Sequence, residues 1–212
     1  MKEIPHTIEK IVKVNNIELN YDTFGDPSKP ALILIIGLGS QMILWKDEFC
    51  QALAINGYWV IRFDNRDVGL STKLYDAPVP NIREIMTDIQ QRKPVQVPYS
   101  LYDMAKDTIG LMDELKINKA HIIGAAMGGM IAQTLAIEFP ERVKTLTSIM
   151  SSTGNPKLPQ AKPEAMAVLL KQPPDDRHEY IEDSIKTWRI LHGDKYPLPE
   201  NYIRERSALA YD

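Results

Sequence analysis

The chain contains one cysteine, Cys50, among 212 residues. A single thiol closes no internal disulfide, so packing and hydrogen bonds must hold the fold. Its apolar-patterned surroundings give Cys50 the role of a small buried hydrophobe rather than a reactive thiol. An excess of one charge is also lacking: 25 Lys and Arg stand against 28 Asp and Glu, a formal net charge of -3, with no basic run. The electrostatic footprint of a nucleic-acid binder is missing, and no such partner is expected. No stretch approaches the roughly 18 uninterrupted apolar residues of a membrane span. The opening residues, MKEIPHTIEK, carry charges and a proline where a secretory signal has its apolar core. These absences predict a cytoplasmic protein with no membrane partner. No metal-ligand spacing is present either, so neither a metal nor a cofactor is expected.

What is present is an ordinary globular composition, 44% apolar and 25% charged. Residues 8–14 and 17–23 alternate apolar with polar around Asn15-Asn16, the pattern of an antiparallel hairpin. Continuous apolar runs at 31–36, 58–63, 120–123 and 143–150 read as strands buried on both faces. Helical spacing at 47–56, 101–115 and 127–138 separates them, which predicts parallel crossovers and an α/β, doubly wound sheet opened by the hairpin. From residue 151 the texture shifts to Ser, Pro, Gly and Lys, with helical segments at 163–170 and 177–191. The expected division is therefore a core at 1–150 and a helical cap region at 151–212. The last residues are helix-like without a stop signal, so the chain is expected to end within an element.

One segment carries chemistry. His121-Ile-Ile-Gly124-Ala125-Ala126-Met127-Gly128-Gly129 runs a buried strand into a helix and matches a G-x-S-x-G nucleophile elbow except at its centre, where Ala126 stands. At such an elbow the central residue is strained and its side chain is lifted above the sheet. The positions two before and two after are forced together, which Gly124 and Gly128 permit. The helix that follows aims its first N–H groups at the place where an oxyanion would form. Upstream, the run ending at Ile36 opens into Gly37-Leu38-Gly39-Ser40, where this architecture places a second oxyanion donor, the N–H of Leu38. The N–H of Met127 is the first.

Gly37-Leu38-Gly39 followed by Trp45, then Phe63-Asp64-Asn65-Arg66-Asp67-Val68-Gly69-Leu70-Ser71-Thr72, then the elbow with Met130-Ile-Ala-Gln133, resembles bacterial α/β-hydrolase-fold enzymes of the aclacinomycin methylesterase and proline iminopeptidase type. The similarity covers essentially the whole chain, including a loop at 73–100 and the cap entry at 148–154. It implies a serine hydrolase acting on a small carboxylic ester through an acyl-enzyme. Gly37, Trp45 and Met130 are then candidate pocket residues, with Met127, Trp188 and Tyr202 as further walls. It also implies that Asp64 hydrogen-bonds the loop supporting the site.

Three departures stand out. Ala126 occupies the nucleophile position, which predicts binding without turnover. Ile36 stands where many relatives carry a histidine. The family's acid and histidine come from loops after its last two strands, which are expected beyond Asp212, so the remainder of the fold or a partner chain would complete the sheet. Otherwise the strand ending at Met150 is an open edge. His121 reads as a packing histidine, His178 and His192 as surface residues and His6 as part of an N-terminal tail. Ser151 and Ser152 read as loop caps. Because every other elbow residue is intact, an alanine introduced for serine is favoured over natural decay. The competing expectations are an inactive hydrolase-fold protein that binds a small ligand, or an iminopeptidase- or haloperoxidase-type relative.

Overall fold

The computed structural model describes residues 4–78, 81–155, 157–159 and 161–212. Alternation along the first residues folds them into a hairpin of β1 (His6–Val14) and β2 (Ile17–Phe24). Asn15 and Asn16 close it at φ 47° and 63°, the left-handed conformation that two-residue hairpin turns demand and asparagine tolerates. The apolar runs become β3 (Ala31–Ile35), β4 (Trp59–Phe63), β5 (Ala120–Ala125) and β6 (Val143–Ile149).

The six strands form one sheet in the order β1-β2-β4-β3-β5-β6. β3 runs parallel to both β4 and β5, β5 runs parallel to β6, and β2 meets β4 antiparallel. The crossovers are helical: α1 (Asp47–Ile55) joins β3 to β4, α3 (Leu101–Glu114) precedes β5, and α4 (Met127–Glu138) joins β5 to β6. This is the expected α/β-hydrolase architecture, a mostly parallel sheet with helices packed on it.

Successive strand residues point to opposite faces, so β3 feeds two cores. Ile33 and Ile35 pack with Leu111 and Met112 of α3 and with Ile131 and Leu135 of α4. Leu32 and Leu34 pack with Cys50 and Leu53 of α1. β6 forms one edge of the sheet and β1 the other, and residues 144–148 of β6 are exposed.

The segment 73–100 departs from expectation, because it contains the helix α2 (Ile82–Gln90) rather than a loop throughout. Its signal is in the sequence: Ile82, Ile85, Met86 and Ile89 recur at helical spacing, bounded by prolines at 78, 80 and 94.

Contacts divide the chain into Met1–Thr153 and Gly154–Asp212. The second unit is helical, with α5 (Pro163–Leu169), α6 (Arg177–His192) and α7 (Glu200–Tyr211). Ile181, Ile185 and Ile203 form the small core between α6 and α7, with Trp188 packed against it. The ion pairs Arg189–Glu200 at 2.7 Å and Arg177–Asp212 at 2.6 Å lie on the surface of this unit. Among the described residues, no helix is long and apolar enough to cross a membrane.

Candidate functional site

β5 ends at Ala125 and α4 begins at Met127, so Ala126 alone makes the turn. It does so at φ 52°, ψ −121°, a region sparsely populated by residues with a Cβ that costs on the order of 1–3 kcal/mol. Two bonds hold it there. Its N–H donates to the Ile149 carbonyl of β6 at 2.9 Å, and its carbonyl accepts from Gly129 N–H in the first turn of α4, also at 2.9 Å. The side chain is left exposed.

The glycines beside it are geometric necessities. A Cβ on Gly124 would lie 2.1 Å from the Gly128 carbonyl oxygen, and one on Gly128 would lie 2.2 Å from the Ile35 carbonyl oxygen. Strand, turn and helix can cross this closely only without those side chains. Gly129 is packed as tightly, since a Cβ there would lie 2.6 Å from the Ser151 hydroxyl and 2.8 Å from that of Ser148. The Ser151 hydroxyl is buried with no hydrogen-bond partner among the described residues.

The loop after β3 comes up against this turn. A Cβ on Gly37 would lie 3.0 Å from the Ala126 Cβ and 3.6 Å from the Met127 nitrogen. Gly39 takes φ 63°, Ser40 N–H donates to the Gly37 carbonyl at 3.3 Å, and Leu38 is 58% exposed at the tip. Gly37, Gly124, Ala126, Met127 and Gly128 are thus brought together at the carboxyl ends of adjacent parallel strands, where open α/β sheets bind ligands. Trp45 is buried in the core with Leu34, Ile36, Ala125 and Cys50 and is stacked on Phe49 at 5.7 Å. Met130 is partly buried on α4.

Behind the loop, the residues after β4 form a buried polar platform. Asp64 accepts from the Met42 N–H at 2.7 Å, from Asn20 Nδ2 at 3.1 Å and from the Leu70 N–H at 3.1 Å. Asp64 therefore supports the loop as its motif implies. The same contacts explain the motif's spacing. A Cβ on Gly69, which takes φ 53°, would lie 2.2 Å from Asp64 Oδ2. The Ser71 hydroxyl donates to the Asp64 carbonyl at 2.7 Å and accepts from Asn20 N–H at 2.9 Å. Arg66 makes a two-pronged pair with Asp107 of α3 at 2.6 and 2.7 Å. Two contacts of this segment have no local signal in the sequence: Asn65 Nδ2 donates to the Ile36 carbonyl at 2.9 Å, and Arg66 pairs with Asp107. Both join strands or helices far apart in the chain.

The histidines of the first unit are occupied elsewhere. His6 is not in a tail: it opens β1, stacks on Phe24 with ring centroids 3.8 Å apart and approaches Asp22 at 3.7 Å. Stacking on an apolar ring beside a carboxylate that also serves Arg62 fixes it in the sheet. His121 Nδ1 pairs with the Thr145 hydroxyl at 2.8 Å, and its ring packs edge-on to Tyr58. Burial, reinforced by Lys144, holds its pKa below the usual histidine value. Burial pushes the Cys50 thiol up to about 12, which keeps it protonated and unreactive. Among the described residues, no group of three His, Cys, Asp or Glu could hold a metal ion.

Comparison with known proteins identifies a matching family and several relatives. The family model of the alpha/beta hydrolase fold matches residues 30–199. The rhodomycin D methylesterase DauP of Streptomyces sp. (strain C5) is 29% identical over 95% of this chain and 68% of its own length. The 3-oxoadipate enol-lactonase 2 of Acinetobacter baylyi is 35% identical over 60% of this chain and 39% of its own length. The solved meta-cleavage product hydrolase CumD of Pseudomonas fluorescens IP01 superposes with a TM-score of 0.70 at 22% identity, covering 97% of this chain and 64% of that one. The chain thus spans about two thirds of the length of the methylesterase, and less of the other two. With the fold and the family match in agreement, the chain belongs to the alpha/beta hydrolase fold family.

Proposed function

We propose that the protein is a serine-type carboxylic ester hydrolase whose nucleophile position, residue 126, holds alanine, so that the chain as written binds ester without turning it over. The observation that carries this reading is the exposed Ala126 held at φ 52°, ψ −121° on the N-terminus of α4, with Gly37 packed against it. A turn serving only to connect β5 to α4 would be less strained with glycine at its centre. Strain retained at one exposed residue fits a position that presents a side chain to a ligand.

With serine in place, its oxygen attacks the ester carbonyl while a histidine base takes the hydroxyl proton. The N–H groups of Leu38 and Met127 hold the oxyanion, the histidine returns the proton to the departing alcohol, and water cleaves the acyl-enzyme to the acid. Gly37 and Met130 line the substrate side, while Trp45 packs in the core with Ile36 and acts on the site only through that strand end. Similarity to the rhodomycin D methylesterases supports a methyl ester as the group this protein would cleave.

The reading of 151–212 as a cap belongs to the same proposal. Apolar residues left exposed on its helices, among them Met166, Leu169, Ile190 and Leu191, support it. Extension of the sheet at β6, by further strands or a partner, is supported by that strand's exposure.

Alanine at 126 itself favours a second reading, a hydrolase-fold protein that binds a small ligand and does no chemistry. One substitution separates the two. A126S in the complete gene product should raise hydrolysis of p-nitrophenyl and methyl esters by about 10⁶-fold, with a proline amide in the same panel as the control for peptidase activity. Unchanged background hydrolysis together with an unchanged ester Kd would leave the binding protein.

A further inference from the structure

The exit of β3 is gripped by two consecutive buried side chains at the end of β4. Asn65 and Asp64 are each 2% exposed, so both need hydrogen-bond partners. The ladder partners of β3 end at Ile35, opposite Gly124, and at Leu34, opposite Arg62. The Ile36 carbonyl lies past that ladder on a buried residue, and Asn65 Nδ2 satisfies it at 2.9 Å. At the other end of the loop, Asp64 accepts the Met42 N–H at 2.7 Å. The order of the two residues suits their targets, because the carbonyl at 36 requires a donor and the N–H at 42 requires an acceptor.

Between these anchors the turn at 37–39 offers few side-chain contacts, although the Gly37 backbone packs against Ala126. Gly37 and Gly39 have no side chains and Leu38 is mostly exposed. The Ile36 carbonyl belongs to the peptide unit that enters Gly37, so fixing it fixes the plane from which the Gly37-Leu38 turn departs. That carbonyl also lies against α4, since a Cβ on Gly128 would be 2.7 Å from it.

From these contacts, and resting on the ester-hydrolase reading above, we infer that Asn65 is a positioning residue for the oxyanion hole. Its amide, acting through the Ile36 carbonyl, holds the 36–42 loop at the distance from residue 126 that the Leu38 donor requires. Asn65 touches no substrate. Its effect falls on the transition state, where a misplacement of about 1 Å costs on the order of 10²-fold.

Two readouts test this. In the chain as it stands, hydrogen exchange is followed in peptides covering 36–42 for Asn65→Asp, which keeps the size but loses the donor at neutral pH, and for Asn65→Leu. Exchange in that loop should quicken by about fivefold or more in both variants, while β3 and α4 keep their protection. In the complete gene product carrying A126S, the same variants should lower kcat about 10- to 100-fold with KM within about threefold. If Asn65→Leu fails to fold, the isosteric Asn65→Asp decides alone. Unchanged loop exchange in a folded Asn65→Asp, an unchanged kcat, or loss of protection spread through α4 would each overturn the inference. Quickened loop exchange in a protein whose A126S form hydrolyses no ester would instead sink the hydrolase reading and leave the Asn65 anchor standing.

Discussion

At the scale of single residues, backbone strain and steric overlap decide what the elbow tolerates. Ala126 sits in a conformation costing on the order of 1–3 kcal/mol, whereas replacement by glycine loosens the unfolded chain by only about 0.4–1 kcal/mol. Relief of strain outweighs the added freedom of the unfolded chain, so A126G should stabilise the protein by about 1 kcal/mol, read as a higher urea midpoint. Gly124→Ala should do the reverse. Its new methyl would meet the Gly128 carbonyl at 2.1 Å, an overlap that local relaxation cannot absorb, and a loss on the order of 3 kcal/mol is expected in the same titration. Cys50 is fully buried with its thiol pushed up to about 12. An aromatic disulfide reagent at pH 8 should leave it unlabelled in the native protein and modify it once the chain is unfolded in urea. The elbow is legible in the sequence because its glycines lie within five consecutive residues, where spacing alone forces the close approach. Asn65 is not. Its partner is 29 residues away, and the bond follows from the parallel pairing of β3 with β4, which no local pattern reports.

At the scale of elements, strands and crossover helices are readable because each buries a face with its own period. The helix α2 is harder to see although its apolar spacing is present, because the prolines around it are strong turn signals. α3 shows how one end of an element is secured. Ser100 caps it, its hydroxyl accepting from the Asp103 N–H while the Asp103 carboxylate accepts from the Ser100 N–H at 3.0 Å. Ser100→Ala should cost about 1 kcal/mol of stability at pH 7. The Ser100 hydroxyl, with Lys106 and the Ser100 N–H, holds the Asp103 carboxyl at about 2, below its ordinary 3.8. A depressed carboxyl contributes stability that is fully present above its unfolded value and is lost as pH falls through its folded one. The stability difference between the native protein and Asp103→Ala should therefore be constant above about pH 5 and shrink between pH 4 and pH 2. Urea titrations across that range check it.

At the scale of the whole molecule, the parallel sheet sets the order in which chemistry is placed. The carboxyl ends of β3, β4 and β5 deliver the Gly37 loop, the Asp64–Asn65 platform and the elbow to one end of the sheet, although 89 positions separate residue 37 from residue 126. β6 leaves the other consequence of this topology, a last strand whose residues 144–148 are exposed, the kind of edge that invites pairing with another strand. Leu146→Lys on that strand should reduce concentration-dependent association of the 212-residue chain in sedimentation velocity, because a charge on an edge strand opposes pairing. Family, fold and elbow are all evident in the residues. The acid and base that would serve residue 126 are not, since the histidines of the first unit are placed in other contacts. On the proposed reading, residue 126 is the position of an acyl-accepting nucleophile. Its most direct test is intact and peptide mass spectrometry of the A126S gene product after treatment with a fluorophosphonate. A single phosphonyl adduct on the peptide spanning residue 126, absent from the alanine protein, is the predicted result; no adduct, or the same adduct on another residue in both proteins, would contradict it.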